Sequence, residues 1–462
     1  MSGAVFRVIS NPARLVLSAF GALIVIGTLL LMLPVAVDGP TGAGLEDALF
    51  ISTSATTVTG LASVDVTSFS LFGELVILAL IQVGGFGVMT IGSVLALVVL
   101  RRVGLRQRML ARTEIGEIDI GELARLLWAI FRITVVVEAS LALVLFARFW
   151  EEGYEGGPAA SAYSAVFHSV ATFNNAGISL YGDNLARFSG DVFVLLPVSF
   201  TFIVGGFGFP VWVEMWRRRP VALQRPAKRG PLSAERSQGW TLHAKLTLIA
   251  TAVLLVVGPL AVLAFEWRNP ATLGDLGVGD KLLAGWFEGV TPRTAGFNVV
   301  DTGGMEGPTL FLVTVLMFVG AGSASTSGGI KVTTAAVIAA VIWSEIRGER
   351  DVNMLRRRLP DSLVRGAVVI ALLSVCLVVT ASLALMASDG LELGDALFET
   401  ASAFGTVGLS TGITGAISTF GHVVLTLLMF AGRVGPVTFA AAFALRTDTR
   451  LYRQAEERPI IG

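Results

Sequence analysis

Leu49-Phe50-Ile51-Ser52-Thr53-Ser54-Ala55-Thr56-Thr57-Val58-Thr59-Gly60 opens on an apolar pair, runs through small and hydroxyl residues, and stops at a glycine. The same plan recurs in Val166-Phe167-His168-Ser169-Val170-Ala171-Thr172-Phe173-Asn174-Asn175-Ala176-Gly177. It recurs, one residue shorter, in Trp286-Phe287-Glu288-Gly289-Val290-Thr291-Pro292-Arg293-Thr294-Ala295-Gly296. The fourth copy is Leu397-Phe398-Glu399-Thr400-Ala401-Ser402-Ala403-Phe404-Gly405-Thr406-Val407-Gly408. The closing glycines are 117, 119 and 112 residues apart.

A second signature follows each copy: Val83-Gly84-Gly85-Phe86-Gly87, Val204-Gly205-Gly206-Phe207-Gly208, Val319-Gly320-Ala321-Gly322 and Ala431-Gly432-Arg433-Val434-Gly435. Its first glycine lies 24, 28, 24 and 24 residues after the closing glycine. Two registered signatures recurring four times divide the chain into tandem units at 1–105, 106–225, 226–350 and 351–462.

Each unit carries two long apolar runs, which are 15–37 and 69–100, 126–148 and 191–216, 241–265 and 309–345, and 363–387 and 420–445. Each run can supply the ~20 residues that a bilayer core requires. The segments between the runs, 44–57, 160–172, 279–290 and 393–403, are too short to span and suit re-entrant helices. The expected fold is an all-α integral membrane protein. It has eight transmembrane helices and four re-entrant pore helices, in four helix–pore-loop–helix repeats.

Composition agrees. The 462 residues are 54% apolar and only 15% charged, against ~25% charged in soluble domains. Charge is too scarce to coat a soluble globule, and Leu, Val, Ile and Phe are too frequent for disorder. Net charge is zero, so no nucleic-acid partner is implied. A single cysteine, Cys376, excludes a disulfide framework and is expected to be a structural thiol. His168, His243 and His422 lack metal-ligand spacing, and His168 is expected to be a packing or surface residue. The run 15–37 has no A-x-A-like cleavage site.

The N-terminus and the connectors 101–132, 217–245, 347–365 and 446–458 hold 27 of the 34 Lys and Arg residues. By the positive-inside rule both termini are cytoplasmic. The re-entrant segments then open outward, toward acids that include Asp38, Glu46, Asp47, Asp65, Glu155, Asp280, Asp301 and Glu392. An acidic mouth concentrates cations.

Non-helical backbone is tolerated at membrane depth only where it is buried in protein or lines a water-filled cavity. Four such segments suggest a pseudo-fourfold ring whose carbonyls replace the hydration shell of a cation. Glycine permits the positive φ that aims successive carbonyls the same way. The pore helices would turn their partly negative C-termini toward the ion.

Thr57-Val58-Thr59-Gly60 and Thr406-Val407-Gly408 resemble degenerate forms of the potassium-channel signature. Asn174-Asn175-Ala176-Gly177 and Arg293-Thr294-Ala295-Gly296-Phe297-Asn298 are similar to the second and third filters of the Trk/Ktr/HKT superfamily of potassium transporters. The resemblance covers about residues 10 to 446, with all four units in order. The chain starts directly at the first unit, without the extra N-terminal helix pair of Trk-type subunits, and so looks like a Ktr-type membrane subunit.

The resemblance implies a filter that binds K⁺ at the carbonyls of Thr57, Val58, Thr59, Gly60, Asn174, Asn175, Ala176, Gly177, Thr294, Ala295, Gly296, Gly405, Thr406, Val407 and Gly408. Glycine at all four filter positions implies K⁺ preference, with Na⁺ as a possible coupling ion. It also implies a homodimer in the bacterial inner membrane. An octameric ring of cytosolic RCK-type nucleotide-binding subunits would dock on the basic face, with the nucleotide only on that partner. Anionic membrane lipids are a secondary partner of the same face.

In the third unit, Gly320, Ala321, Gly322, Ser323, Ala324, Ser325, Thr326, Ser327, Gly328, Gly329, Ile330 and Lys331 interrupt an apolar run. Each interior glycine costs about 1 kcal/mol of helix relative to alanine, so the helix is expected to break there. The resemblance implies an intramembrane loop that gates the pore, with Lys331 near its end. Arg433 lies in the last apolar run, where a charge costs at least ~2.5–3.5 kcal/mol. It matches the family's arginine beneath the filter and is expected to raise an electrostatic barrier and pair with the loop. Arg293 is expected to tether its pore helix to an outer acid without touching the ion.

Other readings compete. Single glycines serve close helix packing, and for Gly84, Gly205, Gly320 and Gly432 packing or a hinge is favoured over ion contact. A Na⁺-permeable or poorly selective monovalent cation channel of the same superfamily is the alternative function. A carrier would often carry inverted repeats, whereas these four share one orientation. An intramembrane enzyme needs a catalytic constellation, and none is present; nor is a GxxxxGK[ST] phosphate loop.

Overall fold

A computed structural model of the chain describes residues 12–38, 42–87, 90, 120–217 and 240–435. The basic connectors 101–119 and 218–239, the ends of the runs 69–100 and 420–445, and the C-terminal tail lie outside the described residues. The described chain is helical: α1 Pro12–Leu31, α2 Leu45–Thr57, α3 Leu71–Gly87, α4 Ile120–Glu152, α5 Pro158–Asn174, α6 Val192–Gly206, α7 Phe209–Arg217, α8 Leu242–Glu266, α9 Val278–Val290, α10 Gly307–Phe318, α11 Val332–Ile346, α12 Asp361–Asp389, α13 Leu393–Gly405 and α14 Thr419–Val434. A small antiparallel hairpin, Asn353–Met354 with Arg357–Arg358, joins α11 to α12.

Among the described residues, three helices are long and apolar enough to cross a bilayer alone: Leu127–Glu152 within α4, α8, and α12. Shorter apolar helices occupy the runs 15–37, 69–100 and 420–445. The run 191–216 departs from expectation. It is two helices bent by 98° between Gly206 and Phe209. Gly208 sits at φ +85°, and Pro210, two residues on, contributes no N–H to a continuing helix. The bend frees backbone groups, and new partners take them: Trp212 Nε1 donates to the Val204 carbonyl at 3.0 Å, and the Phe209 N–H to that of Ala324 at 3.0 Å. The run 309–345 is broken as expected, into α10 and α11.

The four short helices α2, α5, α9 and α13 pack inside the longer ones. Their repeated phenylalanines, Phe50, Phe167, Phe287 and Phe398, are all buried to 1% exposure or less. In lipid such burial gains mainly dispersion contacts, since lipid tails are themselves apolar. Outward-facing residues are large and apolar, Leu143, Phe193, Phe200, Leu260, Phe311 and Leu372 among them, as a lipid-facing surface requires. Cys376 is exposed on α12, contrary to the expectation of a structural thiol. His168 is buried in α5 at 2% exposure.

Acids in the first turn favour the start of three short helices: Glu46 and Asp47 in α2, Asp280 in α9 and Asp395 in α13. Pro158 starts the other, α5, at the first helical position. Glu46 also ties α2 to α14. His422 Nδ1 is 2.5 Å from its Oε1, and Thr419 Oγ1 donates to Oε2 at 2.7 Å. These hydrogen bonds, His422 first, hold the Glu46 carboxyl below its ordinary range. A depressed carboxyl contributes stability above its unfolded pKa and loses it as pH falls through the folded value. The melting-temperature gap between wild type and Glu46→Gln is therefore expected to be small at neutral pH, because the pair is partly exposed. It should shrink as pH falls through the lowered folded value; a gap unchanged on acidification would contradict the linkage.

Candidate ion pathway

Each short helix ends in a residue, or leads through a turn to one, that L-amino acids rarely accept. Val58, Asn175 and Thr406 cap α2, α5 and α13 in the left-handed conformation, at φ +55°, +61° and +51°. In the third unit the chain makes one more turn after α9, and Thr294 takes φ +70°. Three of these four are β-branched, for which positive φ is a genuine outlier. Each stands two residues before a glycine that is also at positive φ: Gly60, Gly177, Gly296 and Gly408. The residue between does not take positive φ, so left-handed and ordinary backbone alternate along each strand. Strain of about 1–3 kcal/mol per residue persists only where the surroundings over-determine the backbone, and it clusters at functional sites.

The four glycines meet. A Cβ on Gly60 would lie 3.1 Å from Gly177 Cα and 3.2 Å from Gly408 Cα, and would overlap the Ala176 carbonyl. One on Gly177 would lie 2.8 Å from Gly296 Cα. One on Gly296 would overlap the Val407 carbonyl, and one on Gly408 that of Thr59. The order around the contact is therefore 60, 177, 296, 408, with no room for a side chain at any position.

Local hydrogen bonds hold the strands in two styles. In the first and fourth units a serine folds the strand back on its helix. Ser54 Oγ accepts from the Gly60 N–H at 3.0 Å and Ser402 Oγ from the Gly408 N–H at 3.1 Å, while their carbonyls accept from Thr59 and Val407. Thr57 Oγ1 and Thr59 Oγ1 are 2.7 Å apart. In the second unit the support comes from neighbouring helices. Asn174 Nδ2 donates to Gln82 Oε1 on α3 at 2.6 Å and to Glu138 Oε1 on α4 at 3.3 Å, and Gln82 Nε2 donates to Glu138 Oε2 at 3.2 Å. Glu138 is an acid inside the apolar run 126–148, which is a signal in itself. Glu138→Ala should strand the Gln82 Nε2 donor, whereas Asn174 Nδ2 keeps the Gln82 Oε1 and Val170 carbonyl acceptors, costing about 1 kcal/mol. Thermal unfolding in detergent checks this, and an unchanged midpoint would refute it.

The second glycine signature packs against the ends of these helices. A Cβ on Gly84 would overlap the Thr56 carbonyl, one on Gly205 that of Phe173, and one on Gly432 that of Phe404. The third unit differs: Gly320 abuts the Gly328 carbonyl within its own loop, and a Cβ on Gly405 would approach the Met317 carbonyl at 2.6 Å.

The 319–331 loop is compact. Val319 bridges Ile330, Gly320 N–H donates to the Ile330 carbonyl at 2.7 Å, and Val332 N–H to that of Ala321 at 3.1 Å. Ser325 Oγ donates to the Gly322 carbonyl and accepts from the Ser327 N–H, and Ser323 Oγ lies 3.1 Å from Thr333 Oγ1. The loop fills the α6–α7 bend through Gly322 N–H to the Gly206 carbonyl, at 2.8 Å.

It also lies against three of the four strands. Thr294 Oγ1 donates to Ser327 Oγ at 2.6 Å. Thr326 Oγ1 is 3.1 Å from the Asn175 carboxamide, whose nitrogen in the better-satisfied orientation also reaches the Phe202 and Phe173 carbonyls. A Cβ on Gly328 would meet Thr406 Cβ at 3.0 Å, and one on Gly329 would meet Gly405 Cα at 3.1 Å. Arg433, 5% exposed, donates through Nη1 to the Thr326 carbonyl and through Nη2 to that of Gly84 at 3.3 Å. Gly329 N–H donates to the Gly432 carbonyl at 3.3 Å. Lys331 Nζ donates to the Ser327 carbonyl at 2.5 Å and to that of Gly328 at 3.3 Å. Among the described residues neither cation forms an ion pair.

Arg293 departs from expectation. It is buried and reaches Thr251 Oγ1 on α8 at 3.2 Å, with no outer acid bound to it among the described residues.

A helical, lipid-facing protein with a side-chain-free junction at its centre belongs to the class of membrane transporters. The family model for TrkH, a cation transport protein, matches residues 5–451, and the chain belongs to that family. It is 38% identical over 436 residues to the Ktr system potassium uptake protein B of Bacillus subtilis, covering 94% of this chain and 93% of that protein. It is 36% identical over 452 residues to the protein of the same name from Vibrio alginolyticus, covering 97% and 94%. The crystal structure of the potassium transporter TrkH from Vibrio parahaemolyticus superposes with a TM-score of 0.71, over 94% of this chain and 85% of that one, at 18% identity. That likeness concerns the fold.

Proposed function

We propose that this chain takes up K⁺ across the bacterial inner membrane. The pathway runs through a pseudo-fourfold filter formed by four helix–pore-loop–helix repeats, with eight transmembrane crossings and both termini in the cytoplasm. The carrying observation is the junction of Gly60, Gly177, Gly296 and Gly408, each preceded two residues earlier by a left-handed residue. Backbone of that alternation presents carbonyls, and a ring of carbonyl oxygens suits a dehydrated monovalent cation. Glycine at every position, and relatives named as potassium uptake proteins, favour K⁺ as the transported ion over a Na⁺-permeable or unselective pore.

The loop at 320–331, pinned by Arg433 and Lys331, closes the cytoplasmic side of the filter. Opening requires it to leave the strands of the second, third and fourth repeats. The chain has no nucleotide-hydrolysis motif, so regulation falls to a separate cytosolic nucleotide-binding ring of RCK type, acting on a homodimer of this chain. The word "system" in the relatives' names supports such a partner. Na⁺ acts as a coupling ion rather than as the main cargo.

Expression in K⁺-uptake-deficient cells tests this reading. Growth at limiting K⁺ is expected, and it should be stronger with a co-expressed regulatory subunit. No growth in either case, with the protein present in the membrane, would refute it.

A further inference from the structure

One position in the short helices behaves alike in three units. The residue after the repeated phenylalanine is Ile51, His168, Glu288 and Glu399. Glu288 and Glu399 are 1% and 0% exposed. A buried carboxyl at membrane depth is costly and needs a reason.

Each of the three polar residues reaches back to the strand that leaves its own glycine. Glu288 Oε1 accepts from the Val299 N–H at 2.6 Å and the Val300 N–H at 3.2 Å, three and four residues beyond Gly296. Glu399 Oε1 accepts from Thr414 Oγ1, which lies 2.9 Å from Ser410 Oγ. His168 Nε2 is 3.0 Å from Ser179 Oγ and accepts from the Leu180 N–H at 3.4 Å, with Nδ1 2.8 Å from the Ser164 carbonyl. The first unit has Ile51 there, and one helical turn earlier Asp47 Oδ1 accepts from Ser63 Oγ at 2.8 Å.

The units differ in what else holds them. The first and fourth have Ser54 and Ser402 beneath their glycines. In the third unit Val290 stands at the matching distance of six residues and has no hydroxyl. There Glu288 grips two backbone N–H groups directly, helped by Thr291 Oγ1 donating to the Phe297 carbonyl at 2.6 Å.

We propose that Glu288 and Glu399 are positioning residues of the filter. Each acts as a hydrogen-bond acceptor that fixes the strand leaving Gly296 or Gly408, and so sets how closely the ring closes on an ion. This rests on the filter reading. Glu288 has the larger effect, because it holds backbone directly and no serine backs it up.

The test is the K⁺/Na⁺ permeability ratio of the full chain, measured at matched membrane abundance. Glu288→Ala is expected to lower it by about fivefold, the worth of roughly one hydrogen bond. Glu288→Gln should recover most of the ratio, since an amide oxygen also accepts. A merely structural role would change abundance without this split. An unchanged ratio in Glu288→Ala overturns the proposal, and so does a Glu288→Gln ratio as low as that of Glu288→Ala, which would make charge the cause.

If Glu288→Ala fails to insert, Thr414→Val decides. It removes only the hydroxyl that Glu399 holds and should lower the ratio by about twofold; no change overturns the proposal. Gly60→Ser run beside them separates the two readings. A drop there with none in Glu288→Ala refutes the positioning role alone, whereas no change in either refutes the filter itself.

Discussion

Gly60→Ser should cut the K⁺/Na⁺ permeability ratio by about tenfold or more, equivalent to ~1.4 kcal/mol. Gly60 sits at φ +102°, where an L-residue stores strain of about 1–3 kcal/mol. Its new Cβ would overlap the Ala176 carbonyl and press on the Cα atoms of Gly177 and Gly408, at 3.1 and 3.2 Å. None of those contacts is the end of a flexible side chain. Three strands must therefore move to admit one methylene, and the carbonyls move with them. The loss should fall on selectivity before abundance, because the junction is small and the surrounding helices are untouched. Reversal potentials under K⁺ and Na⁺ gradients check this; a wild-type ratio in a correctly inserted variant would remove Gly60 from the ion path.

Arg433→Ala carries the second large effect. Its guanidinium joins the Thr326 carbonyl on the loop to the Gly84 carbonyl on α3. A hydrogen bond from a charged donor is worth about 1.5–3 kcal/mol, so the open fraction of the loop should rise by about tenfold or more. Removing the cation also lowers the barrier to an entering cation. Both changes act in the same direction, toward higher basal flux without the regulatory ring. Deletion within 322–328 should do the same, since those residues carry the contacts to Gly206, Asn175, Thr294 and Thr406. Flux measured in vesicles at equal protein would decide; unchanged or lower flux contradicts a closing role for the loop.

The elements that were legible in the sequence share a cause. Phe50, Phe167, Phe287 and Phe398, and the glycines that close each segment, recur in register because each unit repeats one packing problem. Periodicity finds such residues without any structure. The broken run at 320–331 was equally open, since clustered glycine and serine disfavour a helix.

What stayed hidden depends on neighbours distant in sequence. Nothing in Val58, Thr294 or Thr406 announces positive φ, because β-branched residues avoid it unless tertiary contacts impose it. The 98° bend at Gly206–Phe209 was signalled by Gly208 and Pro210, but a long apolar run masks a break whose loose ends another loop satisfies. Arg293 invited an acidic partner by its charge, yet it meets a threonine on a helix some forty residues earlier. Glu138 and Gln82 meet Asn174 only once three helices from two units have packed.

The most direct measurement is ion flux into proteoliposomes that hold the purified chain alone. Under an outward K⁺ gradient, radiolabelled rubidium should accumulate. External K⁺ should suppress its entry and equal Na⁺ should not, with the discrimination lost in Gly60→Ser. Vesicles carrying intact protein whose rubidium uptake is suppressed equally by K⁺ and Na⁺ would contradict a potassium-selective filter at the four-glycine junction.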